Sequence, residues 1–257
     1  MKSNKVDFYY FSGTGNTFLV VREIKSFFEE NRYQVNLIKL EKADPAQVNL
    51  EHTIGLAFPI AAFSTYPFVW NFLKSLPLTD KSTEIFMVTT MAGSSGFIIP
   101  ALNHLLRKKG YDPFGAKGII MPNNLNFRNL PLARYSRIVE KGLVQARKFA
   151  HDLLFGFSHW KKSPFPASQI NKFLQTEKPW QFMQKFLGMS IDTGKCIKCG
   201  LCYRLCPVEN ILMEYFPEFQ QQCQSCMRCI SFCPTEAIHL RKRKLHPYQA
   251  VKAEELI

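Results

Sequence analysis

The run C-x-x-C-x-x-C-x-x-x-C-P occurs twice in the last third of this 257-residue chain. The first copy is Cys196, Cys199, Cys202, Cys206 and Pro207, and the second is Cys223, Cys226, Cys229, Cys233 and Pro234. Each element of the second copy stands 27 residues after its counterpart, and the match continues past the cysteines, Glu209 with Glu236 and Ile211 with Ile238. All eight cysteines of the chain lie in these two runs. Three cysteines at steps of three residues, on a loop curled round a cube, reach three irons, and a fourth thiolate completes a 4Fe–4S cluster. Structural zinc is held by separated cysteine pairs closing one tetrahedron, and a third cysteine at the same step has no role there. Disulfides need an oxidising compartment, which nothing in the sequence signals. The spacing predicts two 4Fe–4S clusters.

Over roughly Asp192 to Leu240 the segment resembles the bacterial two-cluster ferredoxins. In those proteins the fourth cysteine of each run crosses to the other cluster. The resemblance therefore implies one cluster on Cys196, Cys199, Cys202 and Cys233, and a second on Cys223, Cys226, Cys229 and Cys206. It also implies that Ile211 and Ile238 pack beside the clusters. The proline after each crossing cysteine fixes φ and keeps the chain out of an ordinary helix there.

The other end of the chain carries a second signal. Val6–Phe11 is a short apolar and aromatic run, as a buried strand requires. It leads directly into Ser12-Gly13-Thr14-Gly15-Asn16-Thr17 and then a helical stretch from about Phe18 to Glu30. Strand, small-residue loop and helix N-terminus together make an anion site, with loop amides, the hydroxyls of Ser12, Thr14 and Thr17, and the helix dipole all favouring negative charge. A Walker loop would end in Gly-Lys-Ser/Thr, and no lysine stands here. A Rossmann loop would place a third glycine where Phe18 stands. The loop resembles the phosphate cradle of flavodoxins, hydroxyl-x-Thr-Gly-Asn-Thr, which implies FMN as its ligand.

The elements that follow alternate as in a doubly wound sheet. Strands are predicted at Tyr33–Leu40, Thr53–Phe58, Glu84–Thr90 and Gly115–Met121, and helices at Tyr66–Leu76, Gly96–Lys109 and Leu132–Leu154. The expected fold class is α/β, a flavodoxin-like parallel sheet of order 2-1-3-4-5 followed by a small α+β ferredoxin domain. Its ligand would sit where the order reverses, at the carboxyl ends of the first and third strands. Two more loops emerge on that edge: Pro59, Ile60, Ala61, Ala62, Phe63 and Ser64, and Met91, Ala92, Gly93, Ser94, Ser95 and Gly96. Their backbones are placed to meet the polar edge of an isoalloxazine. Phe63 or Tyr66 can stack on the ring, or serve as rim or core residues. Asn123 and Asn124 either reach the flavin edge or form a turn. The phosphate loop, the Pro59 region, Met121-Pro122-Asn123-Asn124 and the doubled cysteine run together resemble a family of flavodoxin–ferredoxin fusion proteins found mainly in anaerobic bacteria and archaea. That resemblance implies electron transfer.

The expected division is a flavodoxin-like domain over 1–150, an aromatic and basic linker over 151–190, the ferredoxin domain over 191–240 and a basic tail over 241–257. The formal charge is +13, with 19 Lys and Arg against 11 Asp and Glu in residues 1–150, and 4 against 5 in residues 191–240. Thiolate-ligated clusters make the second part more negative, so attraction would help the two parts dock. Nine aromatics lie between Phe149 and Phe186, Trp160 and Trp180 among them. They form either a seam between the domains or a surface for a partner or a membrane. The Arg241-Lys242-Arg243-Lys244 run either meets an acidic redox partner or stays solvated. Nucleic acid is not needed to account for the rings. No apolar run approaches the ~18 residues of a membrane span, and a strand beginning at Val6 leaves no room for a signal peptide, so a cytoplasmic protein is expected. Redox partner proteins are implied. The readings that remain are an electron carrier, a flavin-dependent reductase of a quinone or other small molecule fed by the clusters, and a redox sensor.

Overall fold

The structure is a computed structural model that describes residues 1–96, 98–125, 131–160, 180, 188–241 and 247–257. Strands β1 (Lys5–Tyr10), β2 (Gln34–Lys39), β3 (Thr53–Pro59), β4 (Glu84–Met91) and β5 (Asp112–Ile120) form one parallel sheet in the order β2-β1-β3-β4-β5. The inner strands are near-continuous apolar runs because both faces of a parallel sheet are covered. On one face, α1 (Asn16–Glu30) and α4 (Leu132–Leu154) bring Val20, Ile24 and Phe28 against Ala146, Phe149 and Leu153. On the other, α2 (Pro67–Ser75) and α3 (Ile98–Lys108) cover the sheet with Val69, Trp70, Leu73, Leu102 and Leu106. Tyr10 pairs with Lys39 on one side and Ala57 on the other. The carboxyl ends of β1 and β3 therefore finish level with each other, at the point where the chain reverses its direction across the sheet. This is the order and the switch point that the sequence predicts.

The cysteine-bearing region that follows the sheet in sequence is small and built on two antiparallel pairs. β6 (Met189–Ile191) pairs with β9 (Ile238–Leu240), and β7 (Ile211–Met213) with β8 (Pro217–Phe219). Two short helices, α5 (Leu201–Leu205) and α6 (Arg228–Ser231), follow the second cysteine of each run. The sequence repeat is also a backbone repeat. Left-handed φ values recur 27 residues apart: 58° and 53° at Lys198 and Ser225, 69° and 68° at Gly200 and Met227, 51° at both Glu209 and Glu236. A core of Met189, Met227, Ile230, Ile238 and Leu240 packs against the sulfurs of Cys202, Cys223, Cys229 and Cys233.

Residues 247–257 lie against both units. Ala250 N–H donates to the Thr14 carbonyl at 2.8 Å, the Tyr248 hydroxyl bonds Asn16 Oδ1 at 2.6 Å, and Gln249 donates to the Ser231 carbonyl. Leu256 is buried with Leu205 and Phe232, while Arg22 pairs with Glu255 at 2.8 Å. Lys242 to Lys244 lie outside the described residues, as do Phe165, Phe173, Phe182 and Phe186 of the aromatic run. Trp160 belongs to the core on the α2/α3 face and donates from Nε1 to the Ile99 carbonyl at 2.7 Å. Trp180 belongs to the same core and packs on Tyr66, with ring centroids 5.2 Å apart.

Candidate functional site

At the switch point the three loops predicted from sequence converge on one cleft of about 410 Å³, within the range of small-molecule sites. Ser12, Gly13, Thr14, Asn16 and Thr17 line it from the first loop, Pro59, Ile60, Ala61, Ala62 and Phe63 from the second, and Ala92, Gly93 and Ser94 from the third. Asn123 and Asn124 line it too, and Asn123 Oδ1 also accepts from Leu125 N–H at 2.9 Å, closing a local turn. Gly15 and Gly96 shape the cleft without lining it. A Cβ on Gly15, whose φ is +103°, would meet Val251 at 2.7 Å, and one on Gly96 would meet the Phe63 carbonyl at 2.0 Å.

The first loop makes a cradle for an anion, though not with all the groups expected. Ser12 Oγ accepts from the amides of Gly15 and Phe18 at 3.2 and 3.3 Å. Thr17 Oγ1 bonds Thr90 Oγ1 at 2.8 Å, and Asn16 Nδ2 donates to the Pro122 carbonyl at 2.8 Å. These side chains brace the loop against β4 and the segment after β5. Among the described residues, the amides of Gly13, Thr14, Asn16 and Thr17 have no hydrogen-bond acceptor. Buried N–H groups at a helix N-terminus suit a phosphate.

The second loop is held rigid. Ala62 and Phe63 both adopt left-handed φ, 49° and 60°, in a tight turn closed by reciprocal bonds between Ala61 and Ser64 at 3.1 and 2.9 Å. Such a turn ordinarily selects Asn-Gly, and strain of this kind clusters at ligand sites. Trp70 Nε1 fixes Ser64 Oγ at 3.0 Å. Phe63 is exposed at the rim, whereas Tyr66 is a buried wall.

The cysteines surround two cavities. Cys196, Cys199, Cys202 and Cys233 line one; Cys206, Cys223, Cys226 and Cys229 line the other. Each set takes three thiols from one run and the fourth from the other, and Ile238 and Ile211 each line one cavity. The repeat also equips each crossing sulfur with a backbone donor: Asn210 N–H to Cys206 Sγ at 3.2 Å and Ala237 N–H to Cys233 Sγ at 3.3 Å. Burial pushes the Cys202 thiol up to about 11 and the Cys226 thiol up to about 12, the Arg228 guanidinium opposing the shift at Cys226. Four sulfurs round one cavity, with a backbone amide donating to the crossing sulfur, fit an iron–sulfur cube.

Sequence reasoning missed how closely the two units meet. Ser225 and Met227, beside Cys226, line the front cleft together with Trp180. The Cys226 carbonyl lies where a Cβ on Gly13 would be, at 2.5 Å. Arg228 is buried at 3% exposure and ties the units together, with Nε on the Ser12 carbonyl at 2.9 Å, Nη1 on the Leu205 carbonyl at 3.2 Å and Nη2 on Glu41 at 2.6 Å. Its guanidinium sits 4.5 Å from the Phe11 ring centroid. This pair reverses the expected polarity, since the cation comes from the acidic unit and the anion from the basic one. Net charge describes the long-range field, while a buried contact is decided by the two groups that meet.

Residues 189–212 match the 4Fe–4S binding domain family. An uncharacterized ferredoxin of Methanocaldococcus jannaschii is 33% identical over 57 residues, which cover 20% of this chain and 74% of that protein. The chain belongs to the ferredoxin family. Its ferredoxin unit is also 35% identical over 51 residues to pyruvate synthase subunit PorD of the same organism, spanning 59% of that subunit and 19% of this chain. The sheet ahead of the ferredoxin unit is similar to a Megasphaera elsdenii flavodoxin at 20% identity and a TM-score of 0.41, over 55% of this chain and 98% of that one. It is also similar to the rubredoxin oxygen:oxidoreductase of Desulfovibrio gigas at 18% identity and a TM-score of 0.42, over 60% of this chain and 37% of that one. The flavodoxin-like topology rests on the strand order of the sheet itself. No helix among the described residues is long and apolar enough to cross a membrane.

Proposed function

We propose that this chain is an electron-transfer protein that relays electrons between FMN in the cleft and two 4Fe–4S clusters in the ferredoxin unit. One observation carries the reading: the loop bearing Cys226 is a wall of the cleft. The cleft and the cavity of Cys206, Cys223, Cys226 and Cys229 are therefore adjacent rather than merely joined by a linker. When bound, the clusters exchange single electrons and the flavin exchanges two.

The residues divide the work as follows. The free amides of Gly13, Thr14, Asn16 and Thr17 take the phosphate, and nothing in the loop provides for a second one, which selects FMN over FAD. The braced turn at Ala61–Ser64 and the loop from Ala92 to Ser94 present backbone to the polar edge of the ring. Cys206 and Cys233 exchange places between the runs and so fix the two clusters in one body. Cys199 is exposed and Cys226 half-buried against the front domain, giving the pair an outer end for redox partner proteins and an inner end for the flavin. Thiolate-ligated clusters call for a reducing compartment, which supports a cytoplasmic location. Protein isolated without oxygen should carry about eight irons, about eight acid-labile sulfides and about one FMN per chain, as two cubanes and one flavin require. Bound zinc without sulfide, or a cleft that retains no flavin, would overturn the reading.

A further inference from the structure

The two cysteine runs repeat in sequence and in backbone, yet the repeat breaks between the second and third cysteine. The first run has Gly200-Leu201 there and the second has Met227-Arg228. Met227 accepts the left-handed backbone that its counterpart takes as glycine, with φ values of 68° and 69°. Its side chain is buried between the second cluster cavity and the cleft. Arg228 replaces a leucine with a permanent cation. That cation is almost fully withdrawn from water and reaches the Leu205 carbonyl, next to the cluster ligand Cys206. Among the described residues, no buried cation lines the cavity of the first cluster. Lys198 lines that cavity but is exposed, and its Nζ stands 3.2 Å from the Tyr215 ring centroid and 4.8 Å from that of Phe216.

An added electron makes a thiolate-ligated cluster more negative, and charge is one of the determinants of its potential. A buried cation stabilises that added charge far more than an exposed one, because water does not screen it. Glu41 offsets part of the field. It is attached to the end of β2, however, whereas Arg228 stands between Cys226 and Cys229 and itself lines the second cluster cavity.

Resting on the relay reading, we propose that Arg228 makes the cluster held by Cys206, Cys223, Cys226 and Cys229 the more easily reduced of the two. An electron delivered by an external one-electron donor protein to the outer cluster then runs inward. The outer cluster loses one electron, the inner cluster gains one, and no bond or proton changes place. The break in the repeat gives the pair a direction, toward the cleft.

A potentiometric titration of the full chain, made without oxygen and followed by electron paramagnetic resonance, tests this. The wild type should show two resolved one-electron steps. Arg228→Leu, which installs the first-run residue, should lower the upper step until it merges with the other. Glu41→Gln, which leaves the cation without its counter-charge, should raise it. Both variants break the same ion pair, so loosening of the structure would move both the same way, and opposite displacements mark the charge. Two clusters titrating together in the wild type, or both variants shifting in one direction, would refute the inference and leave the relay standing. If Arg228→Leu fails to retain iron, Glu41→Gln decides alone: a raised upper step supports the proposal, and an unmoved one refutes it. A wild type without two clusters would instead refute the relay reading itself.

Discussion

Gly13→Ala puts a single methyl group at the junction of the two units. The φ of Gly13 is not among the left-handed values, so the loop itself accepts alanine. The new Cβ would stand 2.5 Å from the Cys226 carbonyl oxygen and 3.6 Å from its carbon, whereas carbon and oxygen normally touch at about 3.3–3.6 Å. Cys226 is tied by its place among the thiols of its cavity, and Ser12 next door by Arg228, so neither backbone yields without disturbing a site. Overpacking of this kind typically costs about 1–3 kcal/mol. At about 1.4 kcal/mol per factor of ten, this corresponds to roughly a 5- to 150-fold loss in the docked population. Val144→Ala is the control, because Val144 is exposed on α4 and lines neither the cleft nor a cysteine cavity. Flavin–cluster exchange after rapid mixing, with thermal melting alongside, reads the difference. Slower exchange or reduced stability in Gly13→Ala, beside an unaffected Val144→Ala, is the expected result. Equal behaviour of the two variants would show that the units do not meet at Gly13.

Cys206→Ser should lose iron from the cavity of Cys223, Cys226 and Cys229, and Cys233→Ser from that of Cys196, Cys199 and Cys202; spectroscopic assignment of the surviving cluster checks the exchange. Thr14→Asp should expel FMN by setting a carboxylate against the phosphate, seen as loss of flavin absorbance from the isolated protein with iron content unchanged. Burial raises both Tyr9 and Tyr111 to about 12. The neutral phenol is thus favoured in the fold, and the stability this contributes is complete below the ordinary value near 10 and is lost as pH rises toward 12. The part of the tyrosinate absorbance that Tyr9→Phe and Tyr111→Phe remove should therefore appear together with unfolding in that window, and its appearance near pH 10 with the fold intact would contradict it.

The order of the sheet was legible because each strand is an apolar run followed by a loop with its own chemistry, and parallel strands bury both faces. The cysteine exchange was legible through resemblance, and the cavities follow it because the 27-residue repeat extends to backbone conformation. Other features were not legible, for local reasons. Ser12 and Thr17 look like phosphate donors in a motif, but a hydroxyl within reach of the loop amides or of Thr90 braces the loop instead. Helix α1 begins at Asn16 rather than Phe18 for the same reason, since the loop itself is the first turn. Tyr248 and Leu256 lie in a polar stretch with no periodicity, so their docking on the phosphate loop and on Leu205 depends on tertiary contacts alone. Arg228 reads as a surface residue until its three partners are seen. Trp160 falls in a stretch that reads as linker, yet it completes the core beneath α3.

The central claim is that flavin and clusters communicate within one docked molecule. Mixing the oxidised holoprotein rapidly with a low-potential reductant, and following flavin and cluster absorbance separately over a wide range of protein concentration, tests it most directly. The account predicts that the phase in which the two cofactors equilibrate is first order, with a rate independent of protein concentration and insensitive to salt, because the contacts at Gly13 and Arg228 are buried. An equilibration rate that rises in proportion to protein concentration would mean that flavin and clusters meet only between molecules, and would contradict it.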